Sequence, residues 1–206
     1  MKEIIDIYAR IKPEIESRMK EFEITGRDMP KDELFYELGF CILTPQSKAI
    51  SCWEAICSIK KSKRKDHKSF EIVKHLNKVR FKNNKSKYFE EAQKMWNDGL
   101  LKEMLKVKEP KEMREYLVKN IKGIGFKEAS HFLRNIGYGE KLAILDRHIL
   151  KNLKLLGIIK EVPKVITKKL YLAIEEKMVS FSGKINIPMS HLDFVLWYKE
   201  AGRVFK

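Results

Sequence analysis

The residues best placed for chemistry lie in the stretch KNIKGIGFKEASHFLRNIGYGEKLAILDRHIL, residues 119–150. An apolar helix is expected to end at Asn120, followed by a tight turn, Ile121-Lys122-Gly123-Ile124-Gly125, and a new helix opening at Phe126. Two glycines one residue apart allow positive φ and close approach of a ligand. The helix N-terminus behind them offers unpaired N–H groups and the positive end of a dipole. Lys122, Gly123 and Gly125 thus read as a sequence-independent phosphate clamp, anchored by Ile121 and Ile124. A plain helix–helix turn with glycine at the C-cap is the alternative.

Lys127 falls in the first turn of that second helix, an unfavourable place for a permanent cation. Burial beside other cations would favour its neutral, nucleophilic form; an exposed phosphate-binding lysine is the competing reading. Asp146 interrupts the apolar run Leu142-Ala143-Ile144-Leu145 and sits where an N-cap belongs, before Arg147-His148-Ile149-Leu150. It follows Lys127 by 19 residues, room for one helix and a return loop that can bring the carboxylate back to the amine. A purely capping Asp146 is the alternative.

The elements that must position these groups are helical. Ile4, Ile7, Tyr8 and Ile11 mark one face of an N-terminal helix that Pro13 must interrupt or restart. A second helix is predicted from Pro30 or Asp32 to Leu43, stopped by Thr44-Pro45, and a third from near Ser47. Further helices are predicted over about 69–79, 86–97, 99–106, 110–120, 126–136, 146–156, 167–180 and 189–200. No alternating strand pair joined by Asn-Gly or Gly-Gly occurs, so an all-α fold is expected. The run KKSKRKDHK, residues 60–68, reads as a solvated basic loop or a phosphate-contacting patch.

Composition narrows the function classes. The sequence has 206 residues, with 43 Lys and Arg against 28 Asp and Glu, a formal net charge of +15. With 44% hydrophobic residues it can bury one core, as one large domain or two small ones. No stretch approaches the roughly 18 apolar residues of a membrane span, and the charged start MKEIIDIYARIKPE is expected to exclude a signal-peptide core. Cys41, Cys52 and Cys57 form neither a disulfide framework nor a CxxC cluster, so a cytoplasmic protein without zinc or iron–sulfur is expected. Cys41 and Cys52 fall on apolar faces and read as core, and Trp53 and Trp96 read as packing. The charge attracts polyanions, nucleic acid foremost; a lysine-rich surface serving solubility or heat tolerance is the alternative.

Gly123-Ile124-Gly125-Phe126-Lys127, with Asp146 downstream and His148 two residues later, resembles the helix-hairpin-helix DNA glycosylase superfamily, specifically its bifunctional glycosylase/lyases. KGIGFKEASHFLRNIG…LAILDRHIL resembles the archaeal-type 8-oxoguanine DNA glycosylase/lyases, and the likeness runs from ELGFCILTPQSKA through VRFKNNKSKY to WYKEAGRVFK. The resemblance implies two helical subdomains, residues 33–150 with the hairpin and residues 1–32 plus 151–206, with DNA and the flipped base in a cleft between them. It implies excision of 8-oxoguanine from double-stranded DNA through a Lys127 Schiff base aided by Asp146, with strand cleavage by β-elimination. A related enzyme for other oxidised bases, or a non-catalytic DNA-binding module, are the alternatives. The protein is expected to be a monomer needing no metal for chemistry, although hairpin carbonyls in the superfamily often bind a monovalent cation.

The same resemblance assigns the remaining site residues. Gln46 and Ser47 are implied to enter the duplex, with Lys48 near the pocket or phosphate. Phe81, after Arg80, resembles the wedge against the estranged base. His148 and the hairpin residues are implied to contact DNA. His131, one turn beyond Lys127, would cover one side of the base. Asp193 and Trp197 resemble the purine-edge reader and the stacking aromatic, with an ordinary core tryptophan and a surface carboxylate as alternatives. Lys206 is implied to accept, through its main chain or carboxylate, the N7–H that distinguishes 8-oxoguanine from guanine, with Val204 and Phe205 anchoring it.

Overall fold

The apolar periodicity resolves into helices throughout. A computed structural model describes residues 1–63 and 71–205; most of the basic run 60–68, and Lys206, lie outside the described residues. Among the described residues there are ten α-helices and no strand: α1 (Lys2–Asp28), α2 (Lys31–Leu43), α3 (Ala49–Lys63), α4 (Lys82–Asn97), α5 (Leu100–Lys106), α6 (Pro110–Asn120), α7 (Phe126–Asn135), α8 (Arg147–Leu155), α9 (Lys168–Lys184) and α10 (Met189–Ala201). Two expectations change. Pro13 lies inside a continuous α1; it and Ala9, whose carbonyl loses its amide partner, both face solvent, where water can replace the missing bond. The helix expected over 69–79 is, in its described part, a 3₁₀ turn at Ile72–His75.

Two units divide the chain: Met29–Phe132, and Met1–Asp28 with Leu133–Lys206. In the first, every residue of α2 from Leu34 to Leu43 is buried, the signature of a central helix. Phe35 meets Phe89 of α4 edge-on at 5.0 Å and Trp96 at 5.7 Å. Gly39 permits this approach, because a Cβ there would lie 2.3 Å from the Phe89 ring. The α6–turn–α7 hairpin belongs to this unit up to Phe132, and Ile121 and Ile124 are buried beneath its turn.

In the second unit, α1 sets Ile4, Ile7, Ile11, Ile15 and Phe22 inward and packs along α10. Tyr8 hydrogen-bonds His191 at 3.1 Å, and Phe22 stacks on Phe194. The division differs from the sequence expectation of 33–150 against both termini, since residues 133–150 group with the terminal helices. The physical reason is a set of ties from that segment to α9 and α10. Tyr171 Oη donates to the Ala143 carbonyl at 2.6 Å, Glu175 accepts the Ala143 amide at 2.7 Å, and Arg134 pairs with Asp193 at 3.2 Å.

Candidate active site

Lys127 is placed by its helix and held by the end of another. The side chain is 22% exposed on the first turn of α7. Its Nζ lies 3.5 Å from Oγ1 of Thr44, the residue that ends α2, and 3.7 Å from the carboxylate of Glu128. Glu128 also accepts the Gly125 amide at 3.2 Å, half of a capping box. Gly125, expected to grip phosphate with that amide, therefore gives it to its own helix.

The rest of the expected clamp is outward. Gly123 takes φ +80° against the Tyr88 ring, where a Cβ would approach within 2.5 Å. Lys122 is exposed and pairs with Glu91 at 3.0 Å, an association weak enough to yield to a phosphate.

After α2 the chain turns through Pro45-Gln46-Ser47-Lys48. Gln46 is exposed with φ +54°, and Lys48 is exposed. Ser47, expected beside Gln46 in the duplex, instead uses its hydroxyl within the protein: it accepts the Arg80 amide at 3.0 Å and the Lys85 ammonium at 2.9 Å. Phe81 follows at φ +58°, the residue 54% exposed and its ring under the Arg80 guanidinium. Cys52, buried beside this turn, has its thiol pushed up to about 11 by burial, against the charges of Lys85 and Lys127. The same unit thus gathers Lys127, Thr44, Gln46, Ser47, Arg80 and Phe81. His131 is in that unit too, but it is buried and edge-on to Phe40 at 5.5 Å rather than lying open to cover a base.

The second unit holds the other group. Asp146 caps α8: its Oδ1 accepts the amides of His148 and Ile149, both at 2.8 Å. Oδ2 makes no hydrogen bond among the described residues. His148 is partly exposed, with Nδ1 3.8 Å from Glu200. Asp193 is buried against Arg134, whose guanidinium lies 4.4 Å over Phe194 and 5.0 Å over Phe22. Burial pushes the Asp193 carboxyl up to about 6, opposed by Arg134 and reinforced by the charge of Asp146. Trp197 is partly exposed and stacks on Phe205 at 6.4 Å, while Val204 is buried beneath the tail. Lys206, the expected N7–H acceptor, lies outside the described residues.

Sequence reasoning missed Lys85, Glu128 and Arg134. Lys85 had a signal, since it shares the apolar stripe of Phe89, Ala92 and Trp96, and Glu128 had one in its spacing from Gly125. Arg134 had none, because its partner is 59 residues away. Among the described residues no group of three His, Cys, Asp or Glu side chains could hold a metal ion, and no helix is long and apolar enough to cross a membrane.

Residues 15–187 match the family model described as 8-oxoguanine DNA glycosylase. A curated relative from Fusobacterium nucleatum, named 8-oxoguanine DNA glycosylase/AP lyase, is 50% identical over 99% of this chain and 96% of its own. The crystal structure of the 8-oxoguanine DNA glycosylase of Thermotoga maritima is similar with a TM-score of 0.88 and 38% identity, covering 100% of this chain and 97% of that one. The Methanocaldococcus jannaschii 8-oxoguanine glycosylase/lyase in complex with 15mer DNA containing 8-oxoguanine is similar with a TM-score of 0.89 and 34% identity, covering 100% and 98%.

Proposed function

This chain belongs to the 8-oxoguanine DNA glycosylase family, and from that premise we propose that Lys127 is the nucleophile and Asp146 its carboxylate helper. The protein excises 8-oxoguanine from DNA and cleaves the strand at the abasic site left behind.

The observation that carries the residue assignment is the partly buried Lys127 amine behind the glycine turn, its nitrogen 3.5 Å from the Thr44 hydroxyl. A base inside a duplex is out of reach of any side chain, so it must first leave the stack, at a cost of a few kcal/mol. The neutral Lys127 amine attacks C1′ of the sugar, and the bond from C1′ to the base breaks. The base departs with a proton, and the sugar ring opens to a Schiff base on Nζ. Removal of a C2′ proton then expels the 3′ phosphate and nicks the strand, and water hydrolyses the imine to free Lys127. Asp146 offers Oδ2 to the proton that the amine sheds and to the positive charge that develops at C1′.

Exposed Lys122 and Gly123 take the backbone phosphate; Gln46 and Phe81, both at outward positive-φ positions, occupy the opened base pair. Trp197 supplies a stacking face, and Asp193, whose Oδ2 is taken by Arg134, has Oδ1 left as an acceptor for the donor edge of the purine.

Borohydride reduction is the test. A covalent complex should be trapped with duplex DNA containing 8-oxoguanine, and Lys127→Gln should abolish trapping while keeping duplex affinity. If the unsubstituted protein binds duplex DNA yet is trapped on no lesion, the chain is a DNA-binding module without this chemistry.

A further inference from the structure

Lys85 is a lysine that α4 turns inward. It shares the buried stripe of α4 with Phe89, Ala92 and Trp96, and is itself 4% exposed. A buried ammonium group is costly unless its protons are matched. Here all three are: Nζ donates to the Leu43 carbonyl at 2.6 Å, the Pro45 carbonyl at 2.6 Å and Ser47 Oγ at 2.9 Å. Burial pulls its pKa downward.

These acceptors bracket two residues of interest. Leu43 and Pro45 flank Thr44, whose hydroxyl donates to the Cys41 carbonyl at 2.9 Å and lies 3.5 Å from the Lys127 amine. Pro45 and Ser47 flank Gln46, a non-glycine residue at φ +54° that needs its neighbours fixed to stay there. Ser47 Oγ also accepts the Arg80 amide, tying in the segment that presents Phe81. We propose that Lys85 is a positioning residue, clamping the 43–47 turn so that Thr44 faces the Lys127 amine and Gln46 stands outward. The proposal rests on the function given above and deepens it; the Lys85 ammonium is buried and its three protons are spent inside the protein.

Lys85→Met keeps the stem and removes the three donors. At saturating 8-oxoguanine duplex in single turnover, the excision rate is expected to fall about tenfold or more, with duplex Kd changed by less than about threefold. Met104→Ala, which opens a cavity under α5 in the same unit, is the control: it lowers Tm and leaves the bound-complex rate within about twofold. Should Lys85→Met fail to fold, Ser47→Ala removes one acceptor and the Arg80 anchor, and a fall of about threefold or more is expected. A folded Lys85→Met protein, or in its place Ser47→Ala, that excises at the unsubstituted rate overturns the clamp and leaves the Lys127 chemistry standing. An equal rate loss in Met104→Ala also overturns it, because general stability then explains the effect. An unsubstituted protein that neither excises nor is trapped refutes the underlying function instead.

Discussion

The Thr44 hydroxyl lies 3.5 Å from Nζ of Lys127, joining the end of α2 to the first turn of α7. Its proton is already given to the Cys41 carbonyl, so the side facing Lys127 is a lone pair. That contact, with Glu128 at 3.7 Å, gives the amine an acceptor on this side before any substrate arrives. Thr44→Val keeps the shape and deletes the acceptor. Single-turnover excision should fall about tenfold and stability by about 1 kcal/mol. An unchanged rate with the same loss of stability would make Thr44 a helix end and nothing more.

Asp146 both caps α8 and is assigned the carboxylate role, and the two can be separated. Asparagine caps a helix about as well as aspartate, so Asp146→Asn should fold normally and bind duplex DNA with similar affinity. Its excision rate should fall roughly a hundredfold or more, because the negative charge beside the developing cation is gone. Affinity lost in proportion to rate would make the residue structural.

Asp193 gives a pH signature in stability. Its folded-state carboxyl is pushed up to about 6 by burial, from an ordinary value near 3.8. The folded protein therefore holds this proton more tightly than the unfolded chain. The stability so contributed is complete below about pH 4 and is lost as pH rises through about 6. A shift of about two units corresponds to about 3 kcal/mol. Asp193→Asn does not titrate, so the stability of the unsubstituted protein relative to that variant should decline by about that amount between pH 4 and pH 7. Denaturant unfolding at several pH values checks this, and a flat difference contradicts it.

Lys122 reports on the phosphate grip. It is exposed and loosely paired with Glu91, so Lys122→Ala should leave folding intact and weaken binding to all sequences alike. The slope of log K against log salt should become shallower by about 0.9. An unaltered slope would remove Lys122 from the DNA contact.

Much of this was legible in the sequence because local rules and tertiary packing agree. The ends of α2 and α6, the glycine turn and the Asp146 cap follow from Pro45, from Gly123 and Gly125, and from an aspartate placed before an apolar run. Other features depend on partners far along the chain. Lys85 stands between Lys82 and Lys87, and its place on the stripe of Phe89, Ala92 and Trp96 hints which lysine turns inward; what it holds there is set by three acceptors 38 to 42 residues upstream. Asp193 reads as an open carboxylate until Arg134 is seen against it. Ser47 looks like a free loop hydroxyl until the Arg80 amide and Lys85 arrive to fill it. Pro13 misled for the opposite reason: an exposed turn of helix can lose one hydrogen bond to water and continue.

The most direct measurement is the position of the covalent bond. The borohydride-reduced complex with 8-oxoguanine duplex would be digested with nuclease and protease, and the modified peptide sequenced by tandem mass spectrometry. The account requires the sugar remnant on Nζ of Lys127. A remnant on Lys48, Lys85 or Lys122, or on the N-terminal amine, contradicts it.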